Sequence, residues 1–170
     1  MLFDILLEAP EHGPEIDALH ELSFGPGRYV KTAYRLREGV DPIKALCFVA
    51  FTGEGDARQM VGSIRFSPVY IGGKQGLLLG PLAMDPSVRG CGGGQDLMRV
   101  SLDAARALGH SLVILVGDLP YYAKAGFVQV PQGRLTLPGP VDKSRLLICE
   151  LQPGAFEGVA GAVEKLQQDT

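Results

Sequence analysis

A cluster of glycines near the middle of the chain has the composition of an anion-binding turn. Residues 89–95 are Arg-Gly-Cys-Gly-Gly-Gly-Gln, and they lie between an apolar run at 77–84 and an amphipathic pattern at 95–108. Glycines let a backbone approach a ligand closely, and the N–H groups of a first helical turn point at that ligand with the helix dipole behind them. A strand, a glycine turn and a helix in this order predict a site for a phosphate-type ligand.

Two familiar phosphate-binding patterns do not fit this turn. The P-loop of ATP-binding proteins needs a Gly-Lys-Ser or Gly-Lys-Thr end, which is absent near the turn. The dinucleotide pattern G-x-G-x-x-G fails because the sixth position counted from Gly90 is Gln95. The pattern that fits is R-x-x-G-x-G at Arg89, Gly92 and Gly94, preceded by an apolar strand that ends in Met-Asp-Pro.

This pattern resembles motif A of the GNAT superfamily of N-acetyltransferases, in which the loop holds the pyrophosphate of acetyl-CoA. Tyr122, Gly126 and Phe127 are similar to the Y-x-x-x-G-F segment that follows the next strand in that family. Strings such as LGPLAMDP and LLICELQPGAF more narrowly resemble a bacterial subgroup of YhbS-like predicted acetyltransferases. The resemblance implies acetyl-CoA as the co-substrate and acyl transfer without a metal.

The resemblance also implies roles for the turn and for the strand before it. Backbone N–H groups of the turn would bind the pyrophosphate, and they belong to Arg89, Gly90, Cys91, Gly92, Gly93, Gly94 and Gln95. The backbone of Leu82, Ala83 and Met84 would pair with the pantetheine arm as an extra strand does, and would polarise the thioester carbonyl. A turn kept only for tight packing and a simple edge-strand bulge remain the alternatives.

A local irregularity in the strand at 77–84 agrees with a ligand-binding role for its backbone. Gly80 and Pro81 lie inside the strand at 77–84, where proline cannot donate to a ladder and glycine weakens the strand. They predict a bulge or a splayed edge, which would free the next backbone groups for a ligand. The short connection at 117–120 lacks the Asn that many family members carry there, so the pantetheine arm could be held differently in this chain.

Tyr122 is the catalytic candidate that the resemblance supplies. Acyl transfer from a thioester to an amine expels a thiolate, and a phenol within hydrogen-bond reach can protonate it. A packing role is the alternative, and the sequence leaves open whether Tyr121 or Tyr122 faces the thiol. The general base is not identified: Asp85 precedes a proline, which is more typical of a turn, so we expect a water relayed through backbone carbonyls.

Composition narrows the class of protein. The chain has 170 residues, which fits a single domain over 1–170, and 46% of them are hydrophobic. Its formal charge of −3 gives no basic field for nucleic acid, and no apolar run approaches the roughly 20 residues of a membrane span. Three scattered cysteines fit a reducing cytoplasm. The histidines show no metal spacing and are expected at the surface or in caps; they are His12, His20 and His110.

Periodicity predicts an α+β fold with a mixed, mostly antiparallel sheet, a splayed parallel pair and flanking helices. Strands are expected at 2–8, 43–51, 60–69, 77–84, 112–116, 127–130 and 145–151, and helices at 15–23, 28–38, 95–108 and 120–125. The parallel pair is 77–84 with 112–116, because a helix joins them. A Pro/Gly loop is expected at 131–142, and a loop with a weak helix from residue 156 onward.

The expected function is transfer of acetyl from acetyl-CoA to a primary amine, on a small molecule or a peptide, by direct attack in a ternary complex. The alternatives are a CoA-binding regulatory module without activity and an acyltransferase with a different acyl-CoA or acceptor. No nucleic-acid or membrane partner is expected, and a homodimer is left open. Helix 28–38 is basic through Arg28, Lys31, Arg35 and Arg37, which favours either an acidic acceptor or a solvated face.

Overall fold

The computed structural model of the chain describes residues 2–24 and 32–166. The strands are β1 (Asp4–Leu7), β2 (Phe48–Thr52), β3 (Gln59–Ile71), β4 (Lys74–Met84), β5 (Leu112–Val116), β6 (Val128–Gln129), β7 (Leu135–Thr136), β8 (Leu146–Glu150) and β9 (Gly161–Lys165). The helices are α1 (Gly13–Phe24), α2 (Thr32–Arg37), α3 (Gly93–Ala107) and α4 (Leu119–Ala123). In these two ranges no helix combines the length and the apolar character that a bilayer crossing requires.

The strands form one sheet with the order β1-β2-β3-β4-β5-β8-β6. Neighbours in this order are antiparallel, except that β4 and β5 run parallel on either side of the α3 crossover. β9 extends the sheet beside the far half of β3 and makes a short parallel pair with β7. The prediction of a mixed, mostly antiparallel sheet with one central parallel pair is confirmed.

The parallel pair is splayed, as the Gly80-Pro81 irregularity predicts. β4 and β5 are paired only at Leu77 with Val113 and at Leu78 with Ile114. Beyond this point Gly80 has a positive φ of 133°, the Gly80-Pro81 peptide is cis, and the register against β3 shifts between Ile64 and Phe66. The second half of β4 therefore has β3 on one side and, within residues 2–24 and 32–166, no strand on the other.

Helices cover both faces of this sheet. α3 buries a stripe that includes Leu97, Met98 and Ala105 in the same core as Phe48 and Ala50 of β2. Val49 of β2 packs instead in a cluster with Ile16 of α1. Because successive strand residues face opposite sides of a sheet, α3 and α1 lie on opposite faces. The amphipathic pattern at 95–108 also predicts Leu108 on the buried face of this helix, and that prediction is wrong: Leu108 is the C-cap of α3 and is 58% exposed.

The expected helix at 28–38 is described only from residue 32 onward, and residues 28–31 lie outside the described residues. The loop expected at 131–142 contains β7. The weak helix expected in the tail is wrong, because residues there form β9, whose Val163 is buried opposite Ile71. β2 pairs only with the first half of β3. The backbone edge of β3 that β2 leaves uncovered pairs with β9 at residues 69–71.

The Arg134 side chain holds residues 156–159, the segment before β9, through hydrogen bonds. Its Nε donates to the carbonyl of Val159 at 2.8 Å, and its Nη2 donates to the carbonyl of Phe156 at 2.6 Å. The guanidinium also lies over the Phe156 ring, 4.0 Å from the centroid. One side chain thus satisfies two carbonyls of a segment without regular secondary structure.

We expect Arg134→Ala to lower the free energy of unfolding by about 2 kcal/mol, because hydrogen bonds from a charged donor contribute about 1.5–3 kcal/mol. Urea denaturation followed by circular dichroism measures the change. Arg99→Ala is the control, since Arg99 only approaches Asp96 at 3.6 Å on the exposed side of α3, and it should change stability by less than about 0.5 kcal/mol. Equal effects of the two substitutions would contradict the role of Arg134.

Candidate functional site

A cavity of about 500 Å³ lies where β4 diverges from β5. Its walls are the second half of β4, the glycine turn, the start of α3, the α4 segment and the end of α1. Of the site residues named from the sequence it is lined by Leu82, Ala83, Met84, Arg89, Gly90, Gly92, Gly93, Gly94, Gln95 and Tyr122. Cys91 is exposed and does not line it. Residues that are far apart in the chain thus meet around one space.

The glycine turn directs the first amides of α3 into this cavity. Gly90 and Gly92 have φ values of 82° and 92°, in the left-handed region that side chains disfavour. Gly92 is the N-cap of α3 and offers no side chain to cap it, and the first helical hydrogen bond is from Asp96 N–H to the Gly92 carbonyl. The N–H groups of Gly93, Gly94 and Gln95 therefore have no acceptor within the helix.

Two backbone amides of the turn already donate hydrogen bonds to carbonyls of the protein. The Arg89 N–H donates to the Pro86 carbonyl at 3.4 Å, and the Cys91 N–H donates to the Val88 carbonyl at 3.2 Å. The first bond closes the short 3₁₀ turn Pro86–Val88 that follows β4, and the second closes the turn directly after it. The amides open to an anion are consequently a subset of those expected from the sequence, centred on the first turn of α3.

Gly93 and Gly94 let α3 begin in close contact with its neighbours. A Cβ built on Gly93 would lie 2.5 Å from Cε of Met84 and 3.0 Å from the Phe3 ring. A Cβ on Gly94 would overlap the hydroxyl of Tyr121. A larger residue at either position would therefore have to displace a side chain that packs on the start of α3: the end of Met84 at Gly93, or the Tyr121 ring at Gly94.

The backbone of β4 faces the cavity at alternate residues. The Asp85 N–H donates to the Val61 carbonyl of β3 at 2.7 Å, and Met84 lies opposite Gly62. Since backbone groups along a strand point alternately to its two sides, those of Ala83 face β3 while those of Leu82 and Met84 face the open side. The Oγ of Ser23 donates to the Met84 carbonyl at 3.4 Å, which fits this direction.

The two tyrosines of α4 line different ends of the cavity. The Tyr122 ring packs on Gly117, directly after β5, so that a Cβ on Gly117 would overlap it. The Tyr121 hydroxyl lies over Gly94, and the two rings meet edge to face with centroids 5.0 Å apart. Tyr122 is thus at the strand divergence and Tyr121 at the start of α3, a distinction that the sequence left open.

Burial controls the acidity of both phenols. It raises the pKa of Tyr122 to about 12, with smaller contributions in the same direction from Tyr121 and Asp118 and an opposing one from Arg145. Burial also raises the pKa of Tyr121. Both side chains are therefore neutral hydrogen-bond donors over the physiological range of pH.

Gln95 connects the start of α3 to α4. Its Nε2 donates to the Tyr121 carbonyl at 2.9 Å. The side chain is committed to positioning the tyrosines, and only its backbone N–H is directed at the cavity.

Asp85 forms a turn, as its position before proline predicts. Its Oδ1 accepts hydrogen bonds from the Ser87 N–H at 2.9 Å and from the Ser87 Oγ at 2.7 Å. These two bonds, the backbone one first, hold the pKa of Asp85 below its ordinary value. Among the described residues, none that lines the cavity carries a carboxylate.

Four lining residues were not predicted from the sequence: Ser23, Phe24, Val88 and Lys124. Ser23 and Phe24 come from the last turn of α1, and no local pattern reveals which strand that turn will cover. Lys124 could have been found, because it lies within the Y-x-x-x-G-F segment itself.

The histidines were expected at the surface or in caps, and this expectation holds for His12 but not for His20. His12 is a cap, because its Nδ1 accepts the Ala9 N–H at 2.9 Å. His20 was placed wrongly at the surface: it is 7% exposed, because α1 turns it toward the sheet beside Phe24. No group of three or more metal-ligating side chains occurs in residues 2–24 and 32–166.

Comparison with known proteins shows to which family the chain is related. A model of the acetyltransferase (GNAT) family matches residues 14–127. The uncharacterized N-acetyltransferase YhbS of Escherichia coli K12 is 34% identical over 162 residues, which cover 94% of each chain.

Solved structures agree with this relationship. The crystal structure of E. coli YhbS in complex with CoA superimposes with a TM-score of 0.80 at 32% identity, over 96% of this chain and 89% of that one. A GNAT family acetyltransferase from Brucella melitensis, in complex with acetyl-CoA, gives a TM-score of 0.59 at 29% identity, over 92% and 99%. Since the family model spans more than half of the sequence and a relative above 30% identity spans nearly all of it, the chain belongs to the GNAT acetyltransferase family.

Proposed function

We propose that the protein transfers the acetyl group of acetyl-CoA to a primary amine by direct attack in a ternary complex. The observation that carries the proposal is a single cavity that joins the free amides of α3, the outward-facing backbone of β4 and the Tyr122 side chain. The relatives in complex with CoA and acetyl-CoA support the choice of co-substrate. Three free cysteines fit a reducing compartment, and the proposal places the reaction in the cytoplasm.

The start of α3 binds the pyrophosphate in this proposal. The N–H groups of Gly93, Gly94 and Gln95 converge on one space, and the positive end of the helix dipole adds to them. Arg89 and Lys124 line the same cavity and supply positive charge from its exposed rim. The donors are fixed by the helix, so they need no reorganisation when the anion binds.

The free side of β4 binds the pantetheine arm and the thioester. Leu82 and Met84 present N–H and C=O groups where a neighbouring strand would otherwise pair with them. The Leu82 N–H lies nearest the strand divergence and is assigned to the thioester carbonyl, where it stabilises the negative charge that develops during attack. Ala83 contributes packing, because its backbone is directed at β3.

Tyr122 donates a hydrogen bond to the departing sulfur. Its raised pKa of about 12 keeps the phenol protonated. A thiol ordinarily has a pKa of about 8.5, so complete transfer of the phenol proton to the thiolate is uphill. We therefore assign Tyr122 mainly to stabilising the thiolate as it leaves, with the sulfur acquiring its proton from the solvent or from the attacking ammonium.

The attacking amine loses its proton to water. An alkylamine has a pKa of about 10 and must be neutral to attack. Among the described residues that line the cavity there is no carboxylate or imidazole to accept this proton, and Asp85 is engaged with Ser87. Backbone carbonyls of the open β4 edge can hold the water that does so.

We expect Gly92→Val to lower the affinity for acetyl-CoA at least tenfold, because a β-branched residue cannot hold φ near 92° without moving the first turn of α3. Thermal shift measures binding, since saturation at about 100 times Kd adds about 2.7 kcal/mol of stability. Gly133→Val is the matched control: its φ is 82°, its surroundings are open, and it lies outside the cavity.

The Gly133→Val control should lose about as much stability as Gly92→Val does, but it should keep its affinity for acetyl-CoA. Two results would contradict the assignment of the turn: no shift of the unaltered protein at millimolar acetyl-CoA, or equal affinities of the two valine variants.

We expect Tyr122→Phe to lower kcat about 100-fold while the KM for acetyl-CoA changes less than about twofold, because the hydroxyl acts on the leaving sulfur. Tyr121→Phe is the comparison, since its hydroxyl lies at Gly94 and should affect KM more than kcat. Thiol release over a panel of amines gives both constants. An unchanged kcat would remove Tyr122 from the chemistry, and cofactor binding without thiol release from any amine would favour a CoA-binding module.

The buried phenol also predicts a dependence of stability on pH. The pKa of Tyr122 is about 12 in the folded protein and about 10 in an unfolded chain, so between these values the unfolded state releases a proton that the folded state keeps. Stability therefore falls as the pH rises above 10. At pH 11 the unaltered protein should have lost about 1.4 kcal/mol that Tyr122→Phe does not lose. Urea denaturation at pH 8 and pH 11 tests this, and equal losses in both proteins would refute it.

A further inference from the structure

A second cavity, of about 230 Å³, lies between α1, α2 and the irregular part of β4. Gly80 and Pro81 of β4 form its floor, and α2 contributes Tyr34 and Arg37. At about 30 Å³ for each water molecule, this volume suits a molecule of amino-acid size.

The second cavity continues the first along two elements. On β4, Gly80 and Pro81 line the second cavity, and residues 82–84 line the first. On α1, His20 lines the second cavity, and Ser23, one helical turn further on, lines the first. A ligand in the second cavity therefore lies beside Leu82, where an amine must be placed to attack the thioester directly.

Arg37 brings a positive charge into this second cavity without a partner. It is partly buried, and a Cβ built on Gly80 would lie 3.1 Å from its Nη1, so the guanidinium rests against the β4 backbone. Its guanidinium forms no hydrogen bond or ion pair with a residue in the described ranges, while its backbone carbonyl accepts the Val40 N–H at 3.0 Å. Burial lowers the pKa of Arg37 to about 10; the nearby Tyr34 opposes this effect, and the charge of Arg65 adds to it.

The other charges of the cavity are compensated or lie at its mouth. Arg65 is held by Glu8, with Nε to Oε1 at 2.8 Å and Nη2 to Oε2 at 3.1 Å. Asp17 is exposed, acts electrostatically on Arg65, and forms no ion pair with Arg37. A desolvated cation without a counter-ion is unfavourable, and a bound anion would relieve it.

We propose that Arg37 binds a carboxylate of the acceptor, so that the acceptor is a small amine that also carries a carboxylate. The inference rests on the proposed acetyl transfer. The planar guanidinium matches the two oxygens of a carboxylate, and the position of the cavity directs the other end of the molecule toward Leu82. Arg37 is in this view a residue that determines acceptor specificity.

The test compares amino carboxylates with their neutral amides as acceptors: glycine with glycinamide, and β-alanine with β-alaninamide. The protein should acetylate the carboxylates with a kcat/KM at least about tenfold higher, the range that a charge-assisted hydrogen bond supplies. Arg37→Gln should abolish this preference by raising the KM of the carboxylates about tenfold or more, while the KM of acetyl-CoA changes less than about twofold.

Arg35→Gln is the matched control. It removes a charge from the same short helix, two residues away, and Arg35 is exposed and lines a different cavity, beside Pro140. The control should keep the preference for carboxylates. Arg37→Met, which retains the apolar stem without the charge, replaces Arg37→Gln if the latter does not fold, as judged by thermal melting.

The outcomes separate this inference from the proposed function. Turnover without a preference for carboxylates, or a preference that survives the loss of Arg37, overturns the inference and leaves acetyl transfer standing. If no amine is acetylated, the proposed function fails, and binding of the product-like probe N-acetylglycine, measured by saturation-transfer NMR, decides the inference. Binding that disappears in the Arg37 variants supports it, and equal or absent binding overturns it.

Discussion

The divergence of β4 from β5 after two paired residues is the constraint on which the rest of the site depends. A strand in the middle of a sheet normally uses its backbone groups on both sides, and groups left without partners in a buried position are costly. Here the groups of Leu82 and Met84 lack a strand partner on the β5 side. Proline at position 81 fits this arrangement because it has no N–H to leave unpaired. The opening persists in the sheet because a ligand or water can satisfy these groups.

The surrounding elements give this opening two chemically different ends. Around residues 82–84 the cavity is bordered by the start of α3, whose free amides and dipole favour an anion. Around Gly80 the bordering element is α2, which contributes the Arg37 guanidinium. The backbone of β4 runs through both regions, so in the proposed reaction one strand would hold the acyl donor and adjoin the acceptor. Direct transfer needs this adjacency, because the two substrates must meet without an intermediate carrier on the protein.

Features that depend on neighbouring residues were predictable from the sequence. The glycine turn, the helix after it, the Gly80-Pro81 irregularity and the turn at Asp85 are each encoded within a few residues, and the structure has them at the expected positions. The parallel pair followed from a helix between two apolar strands. Local spacing suffices there because glycine alone adopts positive φ at little cost, and proline fixes its own φ and lacks an N–H.

Features that depend on distant partners were not predictable. Residues 161–165 read Gly-Ala-Val-Glu-Lys, a weak strand pattern, and become β9 because the long β3 offers an edge roughly ninety residues away in the chain. His20 and Arg37 look like ordinary helix-surface residues, and only the packing of α1 and α2 on the sheet turns them inward. The Arg89 and Cys91 amides likewise donate to carbonyls of residues 86 and 88, and spacing alone does not reveal these hydrogen bonds.

The arrangement of ionisable groups determines how protons can move in the proposed reaction. The phenol of Tyr122 is a weaker acid than the thiol it would serve, and the cavity lining described contains no group poised to accept a proton near neutral pH. Acceleration would then come from placing the amine beside the thioester and from fixed dipoles at the carbonyl and the sulfur, both of which are features of the folded backbone. In the proposed reaction one amine proton leaves through water before attack, and the second passes to the departing sulfur or to the solvent. A carboxylate held at Arg37 would assist the first step indirectly, since it orients the acceptor with its amine toward the open edge of β4, where backbone carbonyls can order the water that receives the proton.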